Sequence, residues 1–257
     1  MRRAQKVAII GFGLEGRALF FYLKKEGSSD ITILDKNPEI KPPRGTTSVL
    51  GRNYLAGLES FDIIFRSPGI PFNLKEIWKV KNRVSSLSKL FFERACGIIV
   101  GITGSAGKTT TATLLYKMLK RARRDAYLVG NIGINSLGVL RKLSSRSVTV
   151  MELSSFQLQD LKHSTNIAVI LDIYEEHLDK HKSFQEYLRA KANIVRFQRK
   201  SDWVVYAAEN KFSKRLALMS RGRKIPFRSS DVRKLVPGGI KLRGEHNQKN
   251  VVAAGMS

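Results

Sequence analysis

Short apolar runs alternate with longer amphipathic stretches along this chain, the pattern of an α/β protein built on mainly parallel sheets. Lys6–Ile10 reads as a strand, Gly16–Glu26 as a helix and Ile31–Asp35 as a second strand. Asp62–Arg66 is a further strand, running into the turn Ser67-Pro68-Gly69. The polar stretch Lys81–Ser86 and a short helix through Ala95 mark a domain junction. The cycle then restarts with strand Gly97–Ile102, a glycine-rich turn and helix Thr109–Arg121, and strands follow at Ser147–Glu152, Asn166–Ile173 and Asp202–Ala207. Two domains are expected, over residues 1–94 and 95–257.

Two helical patterns carry more information. In Ser183–Arg199, Phe184, Tyr187, Leu188, Ile194 and Val195 form one apolar stripe at spacings of three, four and seven, and Lys191 lies on that stripe. Either its ammonium snorkels to water, or burial lowers its pKa and leaves a nucleophilic amine able to add CO2 as a carbamate. The spacing favours neither. Glu245–Ala254 reads as the start of a helix, and Ser257 follows within a turn. The expectation is a chain cut inside a helix, with an apolar face lacking partners.

Charge adds a question. Forty-six Lys and Arg against 21 Asp and Glu give the 257 residues a net charge of +25, attractive to nucleic acid, anionic membrane or phosphorylated small molecules. Residues 211–234 hold nine Lys or Arg and one acid, Asp231, and read as a solvated face. The single Cys96 excludes an internal disulfide and fits a reducing compartment. The apolar run after Met1-Arg2-Arg3 is too short for a secretory signal, so a soluble cytoplasmic protein is expected.

Two glycine clusters carry the candidate chemistry. Gly11-Phe12-Gly13-Leu14-Glu15-Gly16 stands between a strand and a helix, with Asp35 closing the next strand. This outlines a dinucleotide fingerprint, but Glu15 would meet a pyrophosphate with negative charge, which argues against NAD. The second cluster, Gly101 to Thr111, contains Gly104-Ser105-Ala106-Gly107-Lys108-Thr109-Thr110. Its backbone amides can surround phosphate oxygens, Lys108 supplies a point charge and the Thr109 hydroxyl can ligate Mg2+. Position 102 is Ile where the longer P-loop pattern has its first glycine, yet the compact Gly-x-x-Gly-Lys-Thr form is intact. Glu152 ends a strand of the same sheet and can hold a metal or cap a helix. Glu175-Glu176-His177-Leu178-Asp179 also follows a strand; His177 suits a single Mg2+ or phosphate contact better than a zinc pair with His181.

In order along the chain, Thr103–Thr109, Gly130-Asn131-Ile132-Gly133, Glu152-Leu153-Ser154-Ser155-Phe156-Gln157-Leu158, Glu176–Asp179, Ala190-Lys191-Ala192 and His246-Asn247-x-x-Asn250 resemble the Mur ligases. These are ATP-dependent amide-forming enzymes of peptidoglycan precursor synthesis. The Glu152–Leu158 segment looks most like the branch that adds D-glutamate to UDP-N-acetylmuramoyl-L-alanine. The resemblance implies a Rossmann-like first domain for the UDP part of the substrate, lined by Leu14, Glu15, Asp35, Ser67, Pro68 and Gly69, and a central P-loop domain. It implies that Lys108 and Thr109 bind ATP phosphates and Mg2+, that Glu152 and His177 position metal, and that Lys191 is carbamylated and holds a second Mg2+. Asn131, Ser154 and Gln157 would face the muramoyl substrate, and Asn247 and Asn250 the adenine side. ATP and Mg2+ are thus the expected cofactors rather than NAD, with a monomer, no membrane partner and no nucleic acid. Glu176 and Ala106 depart from the family's usual Asp and Asn, and a third, amino-acid-binding domain has no counterpart here. The alternatives are a sister ligase, such as a folylpolyglutamate synthase, a basic P-loop nucleic-acid-binding module, or an NAD-dependent oxidoreductase.

Overall fold

The computed structural model describes residues 5–130, 136–176, 181–231 and 245–257. It divides into two compact units, Met1–Arg94 and Ala95–Ser257.

The first unit runs β1 (Val7–Ile10), α1 (Leu14–Lys25), β2 (Ile31–Asp35), β3 (Thr47–Leu50), β4 (Ile63–Arg66), α2 (Lys75–Lys79), β5 (Val84–Ser85) and α3 (Leu87–Arg94). Its strands lie in the order β3-β2-β1-β4-β5 and pair in parallel throughout. All four residues of β1 are buried, as a central parallel strand covered on both faces requires. The strand order reverses beside β1, so the turns after β1 and β4 share one end of the sheet, where open α/β sheets bind ligands. Helix α1 begins at Leu14, two residues before the sequence pattern placed it, because Gly13 already ends the turn in extended backbone.

The second unit runs β6 (Ile98–Thr103), α4 (Lys108–Arg121), β7 (Ala126–Gly130), α5 (Ser136–Val139), β8 (Val148–Glu152) and α6 (Ser155–Leu158). It continues with β9 (Ile167–Ile170), α7 (Phe184–Arg196), β10 (Trp203–Ala207), α8 (Lys211–Ala217), β11 (Arg223–Phe227) and α9 (Glu245–Met256). The sheet order is β11-β10-β9-β6-β8-β7, again parallel at every pairing. The ends of β6, β8 and β9 therefore meet at one edge. Strand β9 stops at Ile170, short of the expected Ile173, because residues 171–174 turn to brace the loop after β6: Ser105 N–H donates to the Asp172 carbonyl at 2.8 Å.

The basic run 211–234 is solvated as expected: its Lys and Arg among the described residues are all exposed, and they are carried largely on a helix and an edge strand, α8 and β11. Arg223, Lys224 and Pro226 on β11 hid it from the apolar pattern, and such residues are what protects a sheet edge from stray pairing. One expectation is corrected: the terminal helix is not an uncovered stub. Val252, Ala253 and Ala254 are buried in one core with Val100, Ile102 and Leu115, since alanines let α9 approach α4 closely.

Candidate functional site

Strand β6 delivers the chain into the loop 104–107, and α4 begins at Lys108. Gly107 sits at φ +82°, a left-handed conformation open to glycine, and a Cβ there would stand 2.2 Å from Asn250 Oδ1. Asn250 is buried, and its Oδ1 accepts the Thr111 hydroxyl at 3.3 Å, so α9 closes over the turn that starts α4. Lys249, one residue earlier, pairs with Asp172 at 3.1 Å and Glu209 at 3.4 Å. Desolvation pulls its pKa down, but these two carboxylates outweigh it and the net shift is upward.

Lys108 Nζ donates to the carbonyls of Gly104 and Ser105, both at 2.9 Å, which holds the ammonium over the loop. The Thr109 hydroxyl donates to Glu152 Oε2 at 2.9 Å, bringing a hydroxyl from the first turn of α4 onto a buried carboxylate at the end of β8. Glu152 is not the helix cap. Ser154 caps α6 in a capping box with Gln157, the Gln157 side chain accepting the Ser154 N–H at 3.0 Å. The substrate candidates Ser154 and Gln157 thus bond to each other.

Lys191 is 1% exposed, which excludes snorkelling. Its Nζ donates to the Gly104 carbonyl at 2.9 Å and the Thr103 hydroxyl at 3.3 Å, and stands 4.7 Å from the centre of the Tyr187 ring. Burial, aided by nearby Lys108 and opposed by Glu176, lowers its pKa from 10.5 to about 7. Much of it is a neutral amine near neutral pH.

The sequence pattern placed Tyr187 only in the apolar stripe, and the structure gives it more to do. Its hydroxyl donates to Glu176 and lies 3.0 Å from Ser105 Oγ. Burial, then Glu176, raise its pKa. Ser105 Oγ also accepts the Tyr174 N–H at 2.9 Å. The available signal was position: Tyr187 is one helical turn before Lys191, so both reach the same loop. His181 is buried, stacked on Phe156 with ring centres 4.9 Å apart, and meets Ser155 Oγ at 3.0 Å. Asn131 and His177 lie outside the described residues.

The first unit has a separate candidate site at the turns after β1, β2 and β4. Gly11 is left-handed at φ +87°, and its carbonyl accepts the Ser67 hydroxyl at 2.7 Å. A Cβ on Gly16 would lie 2.0 Å from the Gly11 carbonyl oxygen, so glycine permits α1 to start against the turn. Asp35 accepts the Phe12 N–H at 2.6 Å on one oxygen and the Asn37 N–H at 2.9 Å on the other. Its carboxylate braces two turns. Leu14 is exposed and Glu15 half-buried on the first turn of α1, and Ser67, Pro68 and Gly69 follow the neighbouring strand β4.

Residues 102–236, more than half of the chain, match the Mur ligase middle domain. The chain belongs to the Mur ligase family. Among curated relatives, UDP-N-acetylmuramoylalanine--D-glutamate ligase of Acetivibrio thermocellus is 38% identical over 234 residues, which cover 87% of this chain and 50% of the relative. The enzyme of the same name from Symbiobacterium thermophilum is 34% identical over an alignment of 287 positions, gaps included, that covers 97% of this chain and 62% of the relative. The chain spans half to about three-fifths of the length of these relatives. Two solved structures share the fold at low identity. A UDP-N-acetylmuramate:L-alanyl-gamma-D-glutamyl-meso-diaminopimelate ligase from Neisseria meningitides aligns at TM-score 0.60 and 16% identity, over 97% of this chain and 91% of its own. MurF from Acinetobacter baumannii aligns at 0.52 and 18%, over 98% and 56%. In this Mur ligase chain the matched segment runs from the end of β6 past β11, and so contains the loop, Glu152, Lys191 and the strands that hold them.

Proposed function

We propose that this chain carries the UDP-substrate-binding and ATP-binding parts of a ligase that adds D-glutamate to UDP-N-acetylmuramoyl-L-alanine in peptidoglycan precursor synthesis, in the cytoplasm. The observation that carries this reading is the convergence of Lys108, the Thr109–Glu152 pair and buried Lys191 around one loop. The D-glutamate assignment rests on the relatives' names and on the Glu152–Leu158 segment.

In this reading the amides of residues 104–110 and the Lys108 ammonium hold the phosphates of ATP. Asn247 serves the adenine side, and Asn250, buried beside Gly107, acts on the nucleotide through the loop turn. The donor set fits Mg2+: Thr109 and Glu152 offer adjacent hard oxygens, one of them on a buried carboxylate. When bound, the ion neutralises charge on the phosphates. Lys191 is suited to become a further anionic ligand. Its neutral nitrogen attacks the carbon of CO2, an N–C bond forms, one C=O electron pair moves to oxygen, and a nitrogen proton leaves to solvent. His177, by resemblance, completes the metal side. Leu14, Glu15, Asp35 and Ser67–Gly69 rim the UDP site, and Asn131, Ser154 and Gln157 serve the muramoyl side.

The substrate carboxylate attacks the γ-phosphorus, releasing ADP and leaving an acyl phosphate whose developing charge Lys108 offsets. The amine of D-glutamate then attacks the activated carbonyl, forming the amide and releasing phosphate. Calorimetry of the chain with Mg·ATP and with UDP-N-acetylmuramoyl-L-alanine tests the reading. Lys108→Ala should remove most ATP affinity; unchanged affinity overturns the P-loop assignment, and tighter binding of NAD than of the UDP substrate overturns the first-unit assignment.

A further inference from the structure

The net charge of +25 remains unexplained by nucleotide binding, and its placement shows why. Because the second sheet is parallel throughout, all its strands begin at one edge, opposite the loop after β6. The segments entering β7, β8, β9, β10 and β11, taken with the last residues of α4 and α7 and the first two of β11, comprise residues 121–125, 141–147, 162–166, 196–202 and 221–224. They carry thirteen Lys or Arg, all exposed, against two Asp. Both acids are turned to internal use: Asp125 accepts the Ser147 hydroxyl at 2.5 Å and Asp202 the Arg199 N–H at 2.6 Å. The opposite edge, where the loop and Lys191 lie, instead mixes signs, with Glu152, Asp172, Glu175, Glu176 and Glu209 beside Lys108, Lys191, Lys211 and Lys249. The unit is polarised, and its cationic end is the wrong end to gather ATP.

Large apolar side chains are exposed at the same cationic edge. Phe197 follows α7, Trp203 opens β10, and Leu218 and Met219 follow α8, with exposures of 46%, 36%, 62% and 43%. The Arg223 guanidinium lies 5.0 Å from the centre of the Trp203 ring. We propose that this edge docks on an anionic lipid bilayer, Lys and Arg meeting phosphate headgroups while Leu218, Met219 and Trp203 enter the headgroup–acyl boundary. Two features favour lipid over nucleic acid. Leu218 and Met219 offer nothing for a base to stack on, and Arg223 lies over one face of the Trp203 ring, which leaves Phe197 as the main stacking surface at this edge. The contact is peripheral, since no helix among the described residues is long and apolar enough to cross a membrane. It leaves the phosphate loop on the far edge, open to solvent, and does not depend on the ligase reading.

The test is co-sedimentation of the chain with vesicles of phosphatidylcholine alone and of equimolar phosphatidylcholine and phosphatidylglycerol. The expected result is binding only to the anionic vesicles, weakening as salt rises. The triple variant Arg221→Glu/Arg223→Glu/Lys224→Glu should lower partitioning more than about tenfold, with ATP affinity unchanged. If that variant does not fold, Arg123→Glu/Arg124→Glu, at the other end of the edge, should weaken binding in the same direction. In a Trp78→Phe background Trp203 is the sole tryptophan, and its emission should shift to the blue on the vesicles. Equal binding to both vesicles, indifference of the folded charge-reversal variant, or an unshifted Trp203 emission overturns the proposal. So does duplex DNA or single-stranded RNA that strips the chain from anionic vesicles at matched phosphate concentration.

Discussion

Asn250 fills the space that a side chain at position 107 would need: its Oδ1 stands 2.2 Å from where the Cβ would be. A residue of the last helix thereby constrains the backbone of the phosphate loop. Gly107→Ala meets both this clash and the strain of φ +82°, and should destabilise the second unit by about 1–3 kcal/mol. Adding Asn250→Gly removes the clash but not the strain, so the double variant should regain only part of the loss. Urea unfolding measures both; full recovery would mean that backbone strain contributes nothing.

Lys191 makes stability depend on pH in a definite direction. Its folded pKa, about 7, lies below its ordinary 10.5. Between those values the unfolded chain binds one proton more than the folded chain, so this site's contribution to stability rises with pH. Below about 7 both states are protonated and the full cost of burying the ammonium remains. Against Lys191→Met, the parent should therefore gain relative stability from about pH 6 to about pH 9.5 in CO2-free buffer. A gap that does not change with pH contradicts the lowered pKa.

The Thr109–Glu152 pair separates metal from phosphate binding. Glu152→Gln keeps an oxygen for the Thr109 hydroxyl but loses the charge. ATP affinity measured with Mg2+ should drop about 10–100-fold, while affinity in EDTA should hardly move. Equal losses in both buffers would assign Glu152 to loop structure alone.

In the first unit, Asp35→Ala strips the acceptor from the Phe12 and Asn37 amides and should cost about 1–3 kcal/mol. Asp35→Asn retains one carbonyl oxygen and should lose less. Thermal melting of the full chain compares them; identical melting of parent and Asp35→Ala would show that the two turns hold without the carboxylate.

The sequence made legible what apolar periodicity marks. β1 is a continuous apolar run and β6 and β8 are largely apolar, and the stripe on α7 drew attention to Lys191 before its surroundings were known. Edge strands were not legible, because β3 presents Thr47, Ser48 and Val49 to solvent and β11 carries Arg, Lys and Pro. Tyr187 was half legible: its apolar ring fits the stripe, but its hydroxyl's partners, Ser105 and Glu176, come from other parts of the chain. The bond between Thr111 and Asn250 joins residues 139 apart and leaves no local trace in the sequence. The end of β9 was misplaced for a related reason, since the carbonyl of Asp172 serves Ser105 rather than a strand.

The burial of α9 has a consequence for how the chain is made. The first unit is complete once Arg94 has been synthesised and can fold as soon as it clears the ribosome. The second cannot: Val252, Ala253 and Ala254 belong to the core that already contains Val100, Ile102 and Leu115. At about 5–20 residues per second, the phosphate loop waits roughly 7–30 s for the helix that covers its turn. During translation β6 and α4 are exposed without their last covering layer, and this is the interval in which a chaperone would find them.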